Sequence, residues 1–369
     1  MRIEGDTMSI QDKLSLFAEN CQAIKGSFTM HLPVIKRLSA LAYTLENKQV
    51  DITAIDEAHQ IIKNDVGMFS NFRGTFVIYL ATMLSLQEFP QQMFSDTKHV
   101  YGLLNQQGFW KNDYLVLSAF EIAKNAESGK HSHVASRAMD FYKEMKANHR
   151  FHIGTDDYLF TAMLAMSDME VHAGANKVRQ IFTLLKYNFG FWASKNSLLH
   201  LAQVLALGGH PGDCVQELLH LKRILKQRKI RLDRNPVLSA LGVVGLFPVN
   251  HGDIANELES AINYLRTQKG FGTWSDVHRE ELLLYAVSIL ASVWASEISR
   301  LLQSDIVSSS TNNMFNPLLY NPALNPALNP IWLASPALAQ QVVMCNAVGY
   351  CSYATTSSSY GGGYSGGGC

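Results

Sequence analysis

A two-helix pattern recurs along most of this chain. Phe28, Phe69, Phe109, Phe151, Phe191, Arg231 and Phe271 each open an apolar run, and they lie 40 to 42 residues apart. The stretch 109–149 shows the unit most clearly. Tyr114–Ala123 is apolar nearly all round, with Leu115, Val116, Leu117, Ala119, Phe120 and Ile122, so a helix there must be covered on several sides. Val134–Lys146 is amphipathic: Ala135, Met139, Tyr142 and Met145 share one face, and Arg137, Asp140, Lys143, Glu144 and Lys146 share the other. The first segment predicts an inner helix and the second an outer one, with a polar break at Gly129 between them. A fixed period with two helices per period is the signature of an α-helical array.

The fold expected is therefore all-α: about six to seven helical hairpins of period near 40, as an α-solenoid or α/α superhelix, with closure toward an α/α toroid as a further option. A chain of 369 residues would ordinarily suggest two or three domains, but a stacked array grows without splitting. The division expected is a flexible N-terminus at 1–8, a helical-hairpin domain at 9–305, and a tail at 306–369. Ser9 with Asp12 forms a capping-box pattern that starts a helix over Ile10–Lys25. This first helix is expected to cap the first hairpin, while the last inner helix, near 276–302, has no outer partner in sequence. From Ile306 onward no residue is charged; Asn-Pro recurs at Asn316, Asn321, Asn325 and Asn329, and the end is rich in Gly, Ser and Tyr. Such a segment is expected to be largely disordered and dispensable for folding.

Composition excludes several classes. Lys plus Arg number 31 and Asp plus Glu number 31, so no global field favours nucleic acid or an anionic membrane. Five widely spaced cysteines do not make a disulfide framework. The first residues, MRIEGDTMSIQDKL, lack the apolar core of a signal peptide, and no uncharged apolar run in the repeats reaches the length of a membrane span. The location expected is cytoplasmic.

The stretches LSLFAENCQAIKGSF (14–28), LSALAYTLENKQVD (38–51), GMFSNFRG (67–74) and TDDYLFTAMLAMSD (155–168) resemble a bacterial family catalogued only as a domain of unknown function, number four thousand and three of its series. The resemblance covers roughly 9–300 and implies a bacterial source and a helical fold. It supplies no activity. The Asn-Pro and Gly-rich tail departs from that pattern.

Five residues recur just before the inner runs: Asp113, Asp157, Asn196, Asn235 and Asp276. They read either as a ligand-binding row or as helix N-caps, and their periodic spacing favours caps. Arg73 stands at the head of a very apolar run; it can grip a carboxylate or phosphate, or pair structurally with a neighbour such as Asp113. Asp156 and Asp157 offer a metal or acid/base pair, or a cap with a dipole partner, with Thr155 and Tyr158 in support. The basic stretch 220–234 can meet phosphates or simply face solvent. Neither His131 with His133 nor His149 with His152 has a third ligand at sensible spacing, and HExxH, P-loop, GxSxG and GxGxxG contexts are missing. No metal and no cofactor is expected. The turns at Trp110, Trp192 and Trp274 resemble the Gln-Trp repeats of terpenoid-cyclase-like α/α toroids, without the acidic catalytic motif of those enzymes.

Sequence alone thus favours a non-catalytic scaffold that binds a protein or peptide, with no specific nucleic acid and no membrane span. The alternative is an enzyme on an α/α toroid with a polar pocket near Arg73, Asp113, Asp156 and Asp157. Oligomeric state is not legible.

Overall fold

The computed structural model describes residues 8–148, 153–190, 193–235, 237–272, 275 and 277–303, with the side chains of 148 and 298–303 excepted. The expected tail lies outside them, as do Asp276, His149, His152, Trp192 and Trp274. Among the described residues the chain is all helical: fourteen α-helices, two short 3₁₀ turns and no strand.

The helices fall into two alternating sets. One is buried along most of its length: α2 (Pro33–Leu45), α4 (Val77–Ser85), α6 (Asp113–Asn125), α8 (Tyr158–Met166), α10 (Lys195–Leu205), α12 (Leu238–Gly245) and α14 (Arg279–Gln303). Every residue of α4 from Val77 to Leu84, and of α8 from Tyr158 to Ala165, is buried. The other set buries one stripe: α1 (Ile10–Ile24), α3 (Ile52–Asp65), α5 (Pro90–Gln107), α7 (His131–Asn148), α9 (Val171–Phe189), α11 (Pro211–Gln227) and α13 (His251–Thr267). In α3 the stripe is Ile55, Ala58, His59 and Ile62, the spacing of one helix face. The apolar and amphipathic runs read from sequence become these two sets.

The pairing of helices differs from expectation. Each helix of the second set packs more extensively on the buried helix that follows it than on the one before it. The close pairs are thus α1 with α2, α3 with α4, and so on to α13 with α14, and α14 has a partner after all. The first and last elements also meet. α1 packs on α13 and α14, and α14 touches α2. Phe17 of α1 lies 5.6 Å from Phe271 and 4.9 Å from Tyr285 between ring centroids. Gln22 donates to the Lys269 carbonyl at 2.6 Å. Arg37 of α2 meets Glu281 of α14 at 2.6 Å, and Tyr285 donates to the same carboxylate. The Glu281 side chain is 3% exposed, so removing one member would strand a buried charge at a cost of about 3–5 kcal/mol. One continuous apolar cluster runs from Leu14 to Trp294.

The row of expected caps is a second correction. Asn112, not Asp113, caps α6, accepting from the Leu115 N–H at 2.9 Å. Ser194, not Asn196, caps α10, accepting from Ser197. Asp157 holds the cap position of α8 but makes no capping bond, and Val237 holds that of α12 with no side-chain cap, leaving Asn235 exposed. A polar residue at or beside the cap position is free to reach a neighbouring element: Asp113 meets Thr75, Asn196 meets Asp156, and Asp157 meets Gln203 of α10. The packing ring at the 109–110 turn is Phe109, which is buried; Trp110 is 77% exposed.

Candidate functional site

Asp157 is fully buried at the head of α8, and both carboxylate oxygens are engaged. Oδ2 accepts from the Gly154 N–H at 2.8 Å, and Oδ1 accepts from Gln203 Nε2 at 3.0 Å. Asp156 beside it is part-exposed, and its Oδ2 accepts from Asn196 Nδ2 at 2.7 Å. The loop approaches closely because residue 154 is glycine: a Cβ there would lie 2.6 Å from Asp156 Oδ1. Asn196, His200 and Gln203 all come from α10. Their spacing of four and three residues puts them on one stripe of that helix, facing α8.

His200 completes the group. Its Nε2 lies 3.4 Å from Asp157 Oδ1 and 3.5 Å from Asp156 Oδ2. Both exceed the ~2.7–3.2 Å of a well-formed N–H···O bond. Nε2 is buried without a hydrogen-bond partner, as is Gln203 Oε1. The imidazole stacks on Phe160 at 4.6 Å and 18°, which fixes the ring plane. Burial alone would lower the His200 pKa, but the Asp157 and Asp156 carboxylates outweigh it and the net direction is upward. The three residues place one ligand atom each within 4.8 Å of one another. Ligands about 2.1 Å from a tetrahedral ion lie roughly 3.4 Å apart, which is the spacing His200 keeps from both carboxylates.

The other two candidates lie apart from this group. Asp113, at the first position of α6, accepts from the Thr75 N–H at 2.9 Å, under Gly74, where a Cβ would collide with the carboxylate. Burial raises its pKa. Tyr114 stands between the two acidic places: burial first, then the charges of Asp156 and Asp113, push its phenol up to about 12. Arg73 turns away. Its guanidinium donates to the Lys63 carbonyl in the last turn of α3, and its Nε is buried without a partner. The Arg73–Asp113 ion pair weighed from sequence is thus replaced by Arg73–Lys63 and Asp113–Thr75 contacts. Tyr158 donates nothing to the acids; its hydroxyl accepts from the Trp110 N–H at 3.3 Å.

In the basic stretch, Lys222 sits 3.6 Å from the centre of the Phe189 ring, Arg228 pairs with Glu259 at 2.9 Å, and Arg231 pairs with Asp233 at 2.7 Å. His131 contacts the Ala126 carbonyl at 3.2 Å. His200 and Gln203 were missed in the sequence reading, although a polar stripe in an otherwise apolar helix was there to be read.

The chain belongs to the family described as Protein of unknown function (DUF4003), which it matches over residues 20–319. No curated protein and no solved structure matches it.

Proposed function

We propose that the seven helix pairs form a closed α/α ring and that Asp156, Asp157 and His200 hold a divalent cation between the head of α8 and α10. The observation that carries this reading is His200 Nε2: buried, in no hydrogen bond, and at metal-edge distance from two carboxylate oxygens. The contact of α1 with α13 and α14 supports closure. Two carboxylates and one imidazole suit zinc or manganese. Asn196 and Gln203 orient the two carboxylates through hydrogen bonds, as outer-shell groups do at metal sites. Three protein ligands leave a position open, and Asp156 is 20% exposed, so solvent reaches that side. A cation held there would act as a Lewis acid on a water or a substrate oxygen, which makes the enzyme reading the better supported one.

The test is metal content and calorimetry on the full chain with Zn²⁺ and Mn²⁺, alongside His200→Gln. The expected result is one equivalent of metal lost in the variant, and a rise in Tm of the intact chain on adding metal, because a ligand that binds only the folded state stabilises it. Equal metal content in both proteins would remove the site and leave a buried Asp–His ion network.

A scaffold reading has its own support. Met30 (94% exposed), Met68 (74%), Phe69 (99%) and Trp110 (77%) lie in the segments that lead into α2, α4 and α6. Apolar side chains repeated along one rim suit a protein partner. Among the described residues no helix is long and apolar enough to cross a membrane.

A further inference from the structure

A second cluster of ligating side chains lies away from His200, between the middle of α11 and the start of α13. Glu217 and His220 are three residues apart on α11 and share a face, the carboxylate-x-x-histidine spacing that helical metal sites use. His251 is the first residue of α13, and Asn250 caps that helix by accepting from the Gly252 N–H at 2.8 Å. His220 Nδ1 faces His251 Nδ1 at 3.0 Å, and Glu217 Oε2 lies 3.7 Å from His251 Nε2. The three residues bring one ligand atom each within 4.8 Å of one another. The 3.0 Å between the imidazole nitrogens is the length of an N–H···N hydrogen bond, and a cation about 2.1 Å from each nitrogen could take the place of that shared proton. The cluster lines a groove of about 500 Å³ that Phe247, Pro248 and Val249 also line.

We infer that Glu217, His220 and His251 form a second metal site, open to solvent, for a divalent transition metal that favours imidazole. Two imidazoles and one carboxylate select zinc, nickel or copper over magnesium or calcium. Three protein ligands leave coordination positions over, and all three residues line the groove. That is the arrangement of sites that exchange ligands, whereas structural zinc sites enclose the ion with four. The site is independent of Asp156, Asp157 and His200: it shares no residue with them and is built on α11 and α13 rather than on α8 and α10.

The experiment is equilibrium dialysis and calorimetry with Zn²⁺ on the full chain, in a His200→Gln background so that the buried cluster does not contribute. That protein should bind one equivalent, and adding His220→Gln or His251→Gln should weaken it at least tenfold; Glu217→Gln should weaken it less. Absorption of the Co²⁺-loaded His200→Gln protein should show bands that His220→Gln abolishes. If the His200→Gln protein and its His220→Gln/His251→Gln derivative take up the same amount of Zn²⁺ with the same affinity, the inference is wrong. If wild type and His200→Gln bind equally while the His220 and His251 changes abolish uptake, the groove site stands and the buried one fails.

Discussion

The two histidine–carboxylate clusters are built on opposite principles. Around Asp157 both oxygens accept hydrogen bonds, from the Gly154 N–H and from Gln203, and the side chain is inaccessible. Around His251 the partners are exposed side chains, Glu217 at 54% among them, facing an open groove. The first cluster joins two buried helices, so its geometry is part of the fold. The second is laid across two half-buried helices, and the fold does not depend on it. A buried polar group is costly to strand; an exposed one costs little to lose.

The largest expected effect breaks the first cluster. Asp157→Ala leaves His200 buried beside a single carboxylate and strands Gln203 Nε2 and the Gly154 N–H. Removing one member of a buried charged pair costs about 3–5 kcal/mol, and a denaturant titration should show it. A loss under about 1 kcal/mol would mean the cluster is wetter and looser than its burial implies.

Much of this arrangement was legible in the chain. The apolar runs placed α4, α6, α8, α10 and α12, and Ser9 with Asp12 marked the start of α1, where Ser9 Oγ accepts from the Asp12 N–H at 3.2 Å. The pairing of α1 with α13 and α14 was not legible, because contacts between distant helices leave no local period. Half of the buried cluster was read: Asp156 and Asp157 stand together in GTDDY, but Gln203 meets Asp157 across 46 residues. Periodic spacing misled at Asp113, Asp157 and Asn196. A residue at or beside a helix cap recurs with the same period as the cap itself, whichever way its side chain points.

A second histidine sharpens the comparison, because it has the opposite surroundings. His59 on α3 is buried near Lys63, His31 and Arg73, with only Asp56 opposing. Burial first, then Lys63 and His31, lowers its pKa to about 4. It is therefore neutral in the folded protein at pH values where the unfolded chain, near 6.5, already binds a proton. Its contribution is complete above about pH 6.5 and is lost as pH falls toward 4. His59→Gln should flatten the fall in Tm between pH 6.5 and 4 relative to wild type. Parallel curves for the two proteins would show that His59 titrates normally.

Gly154→Ala tests how tightly the part-exposed half of the buried cluster is set. The new Cβ would lie 2.6 Å from Asp156 Oδ1, and Asp156, being at the surface, can swing away. The stability cost should stay below about 1 kcal/mol, since one solvent-accessible hydrogen bond, to Asn196, is what is lost. Metal affinity should fall by roughly tenfold or more, as it does when the groups that orient a ligand are disturbed. Unchanged affinity for Zn²⁺ and Mn²⁺ would show that Asp156 is not a ligand.

The smallest effect belongs to the open cluster, and its smallness is the point. Glu217 and His220 lie on the exposed side of α11, whose buried stripe is Val215, Leu218, Leu221 and Leu225. Neither side chain contributes to that stripe. The Glu217–His251 contact is 3.7 Å long at the surface, and exposed ion pairs of this kind contribute about 0–1 kcal/mol. Glutamine keeps the helix propensity of glutamate. In metal-free buffer Glu217→Gln and His220→Gln should therefore stay within ~0.5 kcal/mol of wild type, the range of ordinary surface substitutions. With excess Zn²⁺ they should fall behind in Tm, because only a protein that binds the ion gains stability from it. A large loss without metal would place Glu217 and His220 among the groups that hold α11 to α13, and the contrast between the two clusters would collapse into one structural role.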